Sequence, residues 1–358
     1  MGVSGHALHG GFGFSSHTHG LAVDWIAGAT VVLANATVVN ASETENPNLF
    51  WAIRGSGSNF GVVASFRFKT FAAPSLVTTF EINLPWKNAT AIVDGWSVMQ
   101  DWLKADMAEE LNMRVLGNGY QTQLQGLYYG NSSNLKTAIQ PLLTKLNSTL
   151  SNVAESDWME AFEHYAYSQA IDITRPYSGV FHSSRFKPCW VHAADIHNQG
   201  ETFYSKSLVT SALPTSVLKN VADYWVKKAR TNTRSWYIII DLYGGANSTV
   251  TKVPADATAY AHRDPERDLF LYQFYDTAWG TYPADGFDFL NDWVEVFTNG
   301  LDKTQWGMYI NYADPLLNRT EAQEAYFRQN LPRLKQIKKD LDPTEVFYYP
   351  QAVEPAKP

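Results

Sequence analysis

Residues 235–245 read SWYIIIDLYGG, and residues 268–279 read DLFLYQFYDTAW. The first is a near-continuous apolar run closed by a double glycine. Such runs belong to strands covered on both faces, so it is expected at the centre of a sheet. The second reads as a further strand of the same region. Asp241 interrupts the first run. A carboxylate in an apolar strand is costly to bury unless it is hydrogen-bonded or put to use. Two readings stay open: Asp241 ends the strand and bonds a turn, or it serves chemistry.

Working outward, FEINLP (80–85) is a strand and ATAIVDGWSVMQDWLKADM (89–107) has helical periodicity, with Ile92, Val93, Trp96, Met99 and Trp102 on one side. MRVLGNGYQTQLQGLYYG (113–130) reads as a hairpin turning at Gly117-Asn-Gly, and SNLKTAIQPLLTKLN (133–147) as a helix. Residues 150–205 read as a loop-rich stretch that holds Trp158, Tyr165, Tyr167, Tyr177 and Trp190. DGFDFLNDWVEVFTNGL (285–301) and TEAQEAYFRQNLPRLKQIKKDL (320–341) read as helices, with WGMYINYADP (306–315) a strand-like segment between them. Before Pro74 the texture differs. A glycine-dense loop (Gly5, Gly10, Gly11, Gly13, Gly20) precedes ATVVLANATVVNAS (29–42), a hairpin about Ala34-Asn35. A short helix starts near Pro47, a second glycine cluster spans residues 55–61, and VVASFRFKTF (62–71) alternates as a half-buried strand. Clustered rather than strictly alternating strands and helices predict an α+β fold.

The chain has 358 residues, 45% hydrophobic, with net charge −7, 23 Gly, 16 Pro and one cysteine. That composition excludes a disordered tail, a collagen-like rod and a disulfide mini-protein. No basic cluster stands out, so a nucleic-acid partner is not expected; no run of about 18 apolar residues exists, so no membrane span is expected. The aromatic share is high, at 14%. Large cores account for most rings, and some are expected to line a cleft that stacks on flat ligands or sugars. His6, His9, His17 and His19 lack zinc-site spacing and Cys189 stands alone, so no metal site is expected. There is no G-x-S-x-G, no G-x-x-x-x-G-K-[ST] and no G-x-G-x-x-G in a βαβ setting. The glycine loops are therefore either turns or a backbone cradle for an anion or flat ring. Tyr309 and Tyr312 flank Asn311 in 306–315, and a tyrosine acts as a base only if its surroundings lower its pKa. No secretory leader opens the chain, yet seven N-glycosylation sequons occur, at Asn35, Asn40, Asn88, Asn131, Asn147, Asn247 and Asn318. Only about two arise by chance at this length.

These pieces together resemble one family. GVSGHALHGGFGFSSHTHGLAVDWIAGATVVLANATVVNAS, running on through ENPNLFWAIRGSGSNFGVVASFRFKTF, is similar to the second half of the FAD-binding domain of vanillyl-alcohol-oxidase-type flavoproteins, in their berberine-bridge-enzyme branch. With the closing DPTEVFYYPQAV (342–353), the wording is most similar to fungal glucooligosaccharide and chitooligosaccharide oxidases. The resemblance implies a partial PCMH-type FAD-binding domain over residues 1–74. A substrate domain with a large antiparallel sheet backed by helices follows over 75–315. A C-terminal helix and tail, 316–358, return to the FAD domain.

It also implies oxidation of the anomeric C1 hydroxyl of an oligosaccharide to a lactone, with oxygen reduced to hydrogen peroxide. The base would be Tyr312 in the N-Y-x-D segment, with Tyr309 second, assisted by Asp241. Cofactor contacts would fall to Gly5, His6, Gly10, Gly11, Gly13, Gly57, Gly61, Val62, Val63, Tyr349 and Gln351, and sugar contacts to Tyr237, Arg263 and Gln273. The family's covalent FAD anchors, a histidine and a cysteine, lie upstream of G-V-S-G-H. The expectation is thus of an N-terminally shortened chain whose parent is secreted, glycosylated and monomeric. Two alternatives stay open: a remnant that only binds carbohydrate, and a same-fold oxidase of a non-sugar alcohol.

Overall fold

The computed structural model describes residues 2–165 and 201–357. Cys189, Tyr167, Tyr177 and Trp190 lie outside the described residues. Eleven strands form two antiparallel sheets among the described residues. The small sheet holds β1 (Ile26–Val32), β2 (Val38–Ala41) and β3 (Val62–Phe68), in the order β2-β1-β3. The large sheet holds β4 (Val77–Asn83), β5 (Leu111–Asn118), β6 (Thr122–Tyr129), β7 (Leu150–Ser156), β8 (Glu201–Thr210), β9 (Ser235–Leu242), β10 (Phe270–Trp279) and β11 (Trp306–Gly307). Its order is β11-β8-β10-β9-β5-β6-β4-β7, so the apolar run 235–242 is central, between β10 and β5.

Side chains alternate across a strand, and this period of two sorts the large sheet into two faces. Trp236, Ile238 and Ile240 of β9, with Phe270, Tyr272 and Phe274 of β10, are buried beneath helices Ala89–Ala105, Thr215–Tyr224 and Ala284–Thr298. That layer is aromatic. Trp96 stacks on Trp86 at 5.6 Å, and Trp293 packs edge-on against Trp236 at 4.8 Å and Trp225 at 5.7 Å. Most of the aromatic excess is consumed here, where rings bury the largest area per residue.

Helix Ala89–Ala105 begins at Asn88, whose side-chain oxygen accepts from Ala91 N–H, and ends one residue before Asp106. Its buried Ile92, Trp96, Met99 and Leu103 follow helical spacing.

Several local readings need correction. The opening is not all loop: Val3–Leu8 and Ser16–His19 are short helices, because tertiary contacts with helix Pro47–Ser56 and β5 override the glycine content. The stretch 150–205 contains β7, helix Trp158–Tyr165 and the start of β8. In β7 the residues are largely exposed, so its alternation carries little apolar signal. Residues 306–315 give only the two-residue β11 and a 3₁₀ turn at Ile310–Tyr312. The expected helix 320–341 is broken into Arg319–Phe327 and Leu331–Leu341. Arg328 sits at the break with φ +43°, held by a buried ion pair to Asp268 at 2.6 Å.

The small-sheet part packs on the large sheet through specific bonds. His17 N–H donates to Asn112 Oδ1 at 3.0 Å, and Trp51 Nε1 to Asp256 O at 2.7 Å. Arg263 grips Asp24 with both terminal nitrogens, at 2.9 and 2.5 Å. The C-terminal residues return to the first part. Lys338, fully buried, pairs with Asp342 at 2.7 Å and donates to Asn59 O at 2.7 Å, while Val353 N–H donates to Asn59 Oδ1.

Two stability outcomes follow. Trp293→Ala opens a large void in the aromatic layer and is expected to cost about 3–5 kcal/mol in urea unfolding. Arg263→Ala leaves Asp24 without its bidentate partner and is expected to cost about 3 kcal/mol or more by the same measurement.

Candidate active site

The face of the large sheet away from the helices carries Tyr237, Asp241, Gln273 and Tyr275. On β9 the alternation that buries Ile240 turns Tyr237 and Asp241 the other way; on β10 it turns Gln273 and Tyr275 the same way. Asp241 lies opposite Leu271 on β10, and Gln273 is the next residue along on that face. The contact that results is direct: Gln273 Nε2 donates to Asp241 Oδ2 at 2.6 Å. Gln273 Oε1 accepts from Tyr312 Oη at 2.6 Å and from Tyr275 Oη at 3.3 Å. A hydrogen-bonded chain thus runs from Tyr312 through Gln273 to Asp241. Asp241 does not bond a turn: it lies within β9, one residue from its end, as a buried carboxylate partnered by Gln273.

Electrostatics follows from burial. Desolvation pushes the Asp241 carboxyl up to about 7, against the lowering pull of Arg114 and of the Gln273 hydrogen bond. Arg114 is the residue directly across from Asp241, on β5, and its guanidinium lies over the Phe14 ring at 4.3 Å. Burial likewise pushes Tyr312 up to about 12, and raises Tyr309 and Tyr275. Tyr237 stacks on Tyr275 at 4.4 Å, and Tyr275 meets Tyr312 edge-on at 5.7 Å, so three half-buried rings flank the chain.

The segment bearing Tyr312 is fixed on both sides of it. Tyr309 exchanges two bonds with Ser207 Oγ of β8, accepting at its carbonyl (3.1 Å) and donating from its N–H (2.9 Å). Asp314 is buried and accepts from Tyr204 Oη at 2.6 Å and pairs with Lys206 at 2.7 Å. Ser207 and Lys206 are neighbours on β8 and so point to opposite faces; the segment wraps from one to the other and leaves Tyr312 between them. Tyr309 also reaches the glycine segment: its Oη accepts from Gly11 N–H at 2.9 Å, Phe12 N–H at 3.1 Å and Asn311 Nδ2 at 2.8 Å.

The glycines divide into two kinds. Gly10 and Gly11 have φ of +114° and +77°, and a Cβ on either would strike Tyr260 or Ala22. They are needed for close packing. A Cβ on Gly5 or Gly13 would meet nothing within 4 Å. Gly11, Gly13 and His6 line a cleft of about 480 Å³, walled by Trp25, Phe71 and Trp158. Burial lowers the His6 pKa.

The other expected residues are dispersed. Gly57 packs on Leu8 and Gly61 on Val31, while Val62 and Val63 lie on β3 at the edge of the small sheet. Tyr349 Oη accepts from Asn59 Nδ2 at 3.3 Å. Gln351 donates to the carbonyls of Asp314 and Leu317, so its amide braces the Tyr312 segment. Arg263 is not on the groove face with Gln273; it is buried against Asp24. The sequence reading passed over Tyr275 and Arg114. Tyr275 was findable, since it stands two residues from Gln273 on the same face; Arg114 needed the β5–β9 register. Among the described residues there is no cluster of three His, Cys, Asp or Glu suited to a metal, and no helix long and apolar enough to cross a membrane.

The family model described as berberine and berberine like matches residues 308–354, the stretch that carries Tyr309, Tyr312, Asp314 and Gln351. The xylooligosaccharide oxidase of Thermothelomyces thermophilus is 65% identical over 358 residues, covering 100% of this chain and 68% of the relative. The solved xylooligosaccharide oxidase from Myceliophthora thermophila C1, in complex with xylobiose, superposes with a TM-score of 0.92 at 65% identity, over 100% of this chain and 72% of that one. The Acremonium strictum glucooligosaccharide oxidase, described with a 6-S-cysteinyl, 8α-N1-histidyl FAD, superposes with a TM-score of 0.88 at 38% identity and the same coverage. The chain belongs to the berberine-bridge-enzyme-like family of FAD-linked oligosaccharide oxidases.

Proposed function

We propose that this chain oxidises the anomeric C1 hydroxyl of an oligosaccharide to the lactone, with FAD as the redox group and oxygen reduced to hydrogen peroxide. Its favoured substrates are xylooligosaccharides. The observation that carries the reading is the Tyr312–Gln273–Asp241 chain on the open sheet face, below the glycine segment. The substrate class follows from the 65% identity to a xylooligosaccharide oxidase.

The residues present fit a flavin. Gly5 and Gly13 offer bare backbone toward open space, as a pyrophosphate or flat ring requires, and the cleft beside Gly13 has aromatic walls. Gly5, His6, Gly11 and Gly13 would hold the group there, with Val62 and Val63 on the sheet edge toward its adenine end and Tyr349 and Gln351 at the C-terminal return. When bound, it supplies the hydride acceptor.

The chain's own residues do the rest. Tyr237 and Tyr275 present stacked rings as a platform for a sugar face. Tyr312 donates its proton to Gln273, so the remaining lone pair of its oxygen accepts a hydrogen bond from the C1 hydroxyl. A phenol held near 12 is a poor acceptor by itself at neutral pH, whereas a carboxyl near 7 is matched to it. As the C1 hydroxyl proton moves to Tyr312 Oη, the phenol proton moves to Gln273 Oε1 and one Nε2 proton moves to the ionised Asp241. Tyr312 therefore touches the substrate, and Asp241 sets the pH at which the proton leaves. Gln273 keeps the two in line, its amide nitrogen toward the carboxylate and its oxygen toward the phenol.

Five outcomes test this. The chain incubated with FAD and desalted should retain the visible absorbance band of oxidised flavin. It should then release peroxide faster from xylobiose than from cellobiose or diacetylchitobiose; preference for an aryl alcohol overturns the substrate assignment. Tyr312→Phe should lower kcat by about 10²–10⁴-fold while flavin is retained. The ionised Asp241 is the competent form, so kcat/KM should rise with pH through about 7, and Asp241→Asn should lose that limb. The same group has a folded pKa raised above its unfolded value of about 4. Its contribution to stability is therefore present in acid and lost as pH rises from about 4 to about 7. The difference in unfolding free energy between wild type and Asp241→Asn should fall over that range and level off above it.

A further inference from the structure

Seven sequons are spread over the chain, and the structure separates them. At four of them the carboxamide is held in one way. The side-chain oxygen of Asn35 accepts from Thr37 N–H at 3.0 Å, that of Asn88 from Ala91 N–H at 2.9 Å, that of Asn131 from Asn134 N–H at 2.8 Å, and that of Asn318 from Glu321 N–H at 3.1 Å. All four asparagines are exposed, as are their sequon hydroxyl residues Thr37, Thr90, Ser133 and Thr320. Among the described residues no hydrogen bond engages the amide nitrogen of any of the four. Pinning the oxygen turns Nδ2 outward, and N-glycosylation attaches its sugar at that nitrogen. The modification leaves Oδ1 free to go on accepting, so the helix starts at residues 89, 132 and 319 keep their caps.

Asn247 is built in the opposite sense. It is half-buried, and its Nδ2 donates to Met107 O at 2.9 Å. The two other residues of its sequon are also committed: Ser248 is fully buried and donates to Tyr243 O at 2.8 Å, and Thr249 donates to Thr18 O at 2.7 Å. A sugar on Asn247 would break the contact between this turn and the end of helix Ala89–Ala105. Asn40 and Asn147 are exposed but lack a carboxamide oxygen held by a backbone N–H.

We propose that Asn35, Asn88, Asn131 and Asn318 are N-glycosylation sites of this protein and that Asn247 is not one. The placement of Asn35, Asn88 and Asn131 is compatible with catalysis. Helix Ala89–Ala105 covers the sheet face opposite Asp241, helix Ser132–Leu146 packs against it, and Asn35 lies in the β1–β2 turn of the small sheet.

The test is site mapping. The 358-residue chain is produced in yeast behind a cleavable secretion leader and recovered from both medium and microsomes. It is then treated with peptide-N-glycosidase in isotopically heavy water, and the peptides are mapped. Heavy label is expected at Asn35, Asn88, Asn131 and Asn318 and absent at Asn247. Thr90→Ala, Ser133→Ala and Thr320→Ala should each remove one glycan with the melting temperature of the deglycosylated protein unchanged. No label at the four sites in either fraction, or label at Asn247 matching theirs, overturns the proposal.

Discussion

The alternation of the large sheet governs everything built on it. One face of β9 and β10 is sealed by helices through Trp96, Trp225, Trp236 and Trp293. Residues of the other parity are thereby confined to one surface, where Asp241, Gln273, Tyr275 and Tyr237 meet. A slip of one residue in the β9–β10 register would exchange the two sets and place the carboxylate in an aromatic core. The register is enforced by the core itself, since every apolar residue of both strands would have to move with it.

Desolvation is the second consequence. Asp241 is removed from water by burial, and its affinity for a proton rises toward neutrality. Arg114 and Gln273 oppose that rise without cancelling it. The tyrosine that would face the sugar is not on the sheet. It arrives on a short irregular segment anchored by Ser207 on one side of β8 and Lys206 on the other, and braced by Gln351 from the C-terminal return. Tyr309 then couples that same segment to the backbone of Gly11 and Phe12. The segment that bears Tyr312 is therefore tied to the cleft that suits a flavin by Tyr309 Oη on Gly11 and Phe12 and by Asn311 Nδ2 on the His6 carbonyl.

The strongly periodic elements were legible beforehand: the central strand 235–242, the β5–β6 hairpin and helix 89–105. Where polarity is weak or contacts are remote, legibility failed. β7 is exposed on both faces and shows no pattern; the first helix depends on packing rather than propensity; Arg328 breaks a helix because an ion pair holds it in the left-handed region. For the site, Tyr312, Asp241 and Gln273 were each named from a motif or a family likeness. Their mutual contact was not, and Arg263 looked like a groove residue only because its buried partner Asp24 lies 239 positions away in sequence.

The sequence by itself determined the α+β class, the family, the candidate residues for the chemistry and the many sequons, because these are local words: periodicity, a strand interrupted by a carboxylate, an N-Y-x-D segment, Asn-x-Ser/Thr. Only the tertiary structure decided that Gln273 stands between Tyr312 and Asp241, that Arg114 faces Asp241, that Gln351 braces the Tyr312 segment, and which asparagines leave their side-chain nitrogens without a hydrogen bond among the described residues. Those facts depend on strand register and burial. Both are set by long-range packing of segments far apart in the chain, which no local pattern encodes.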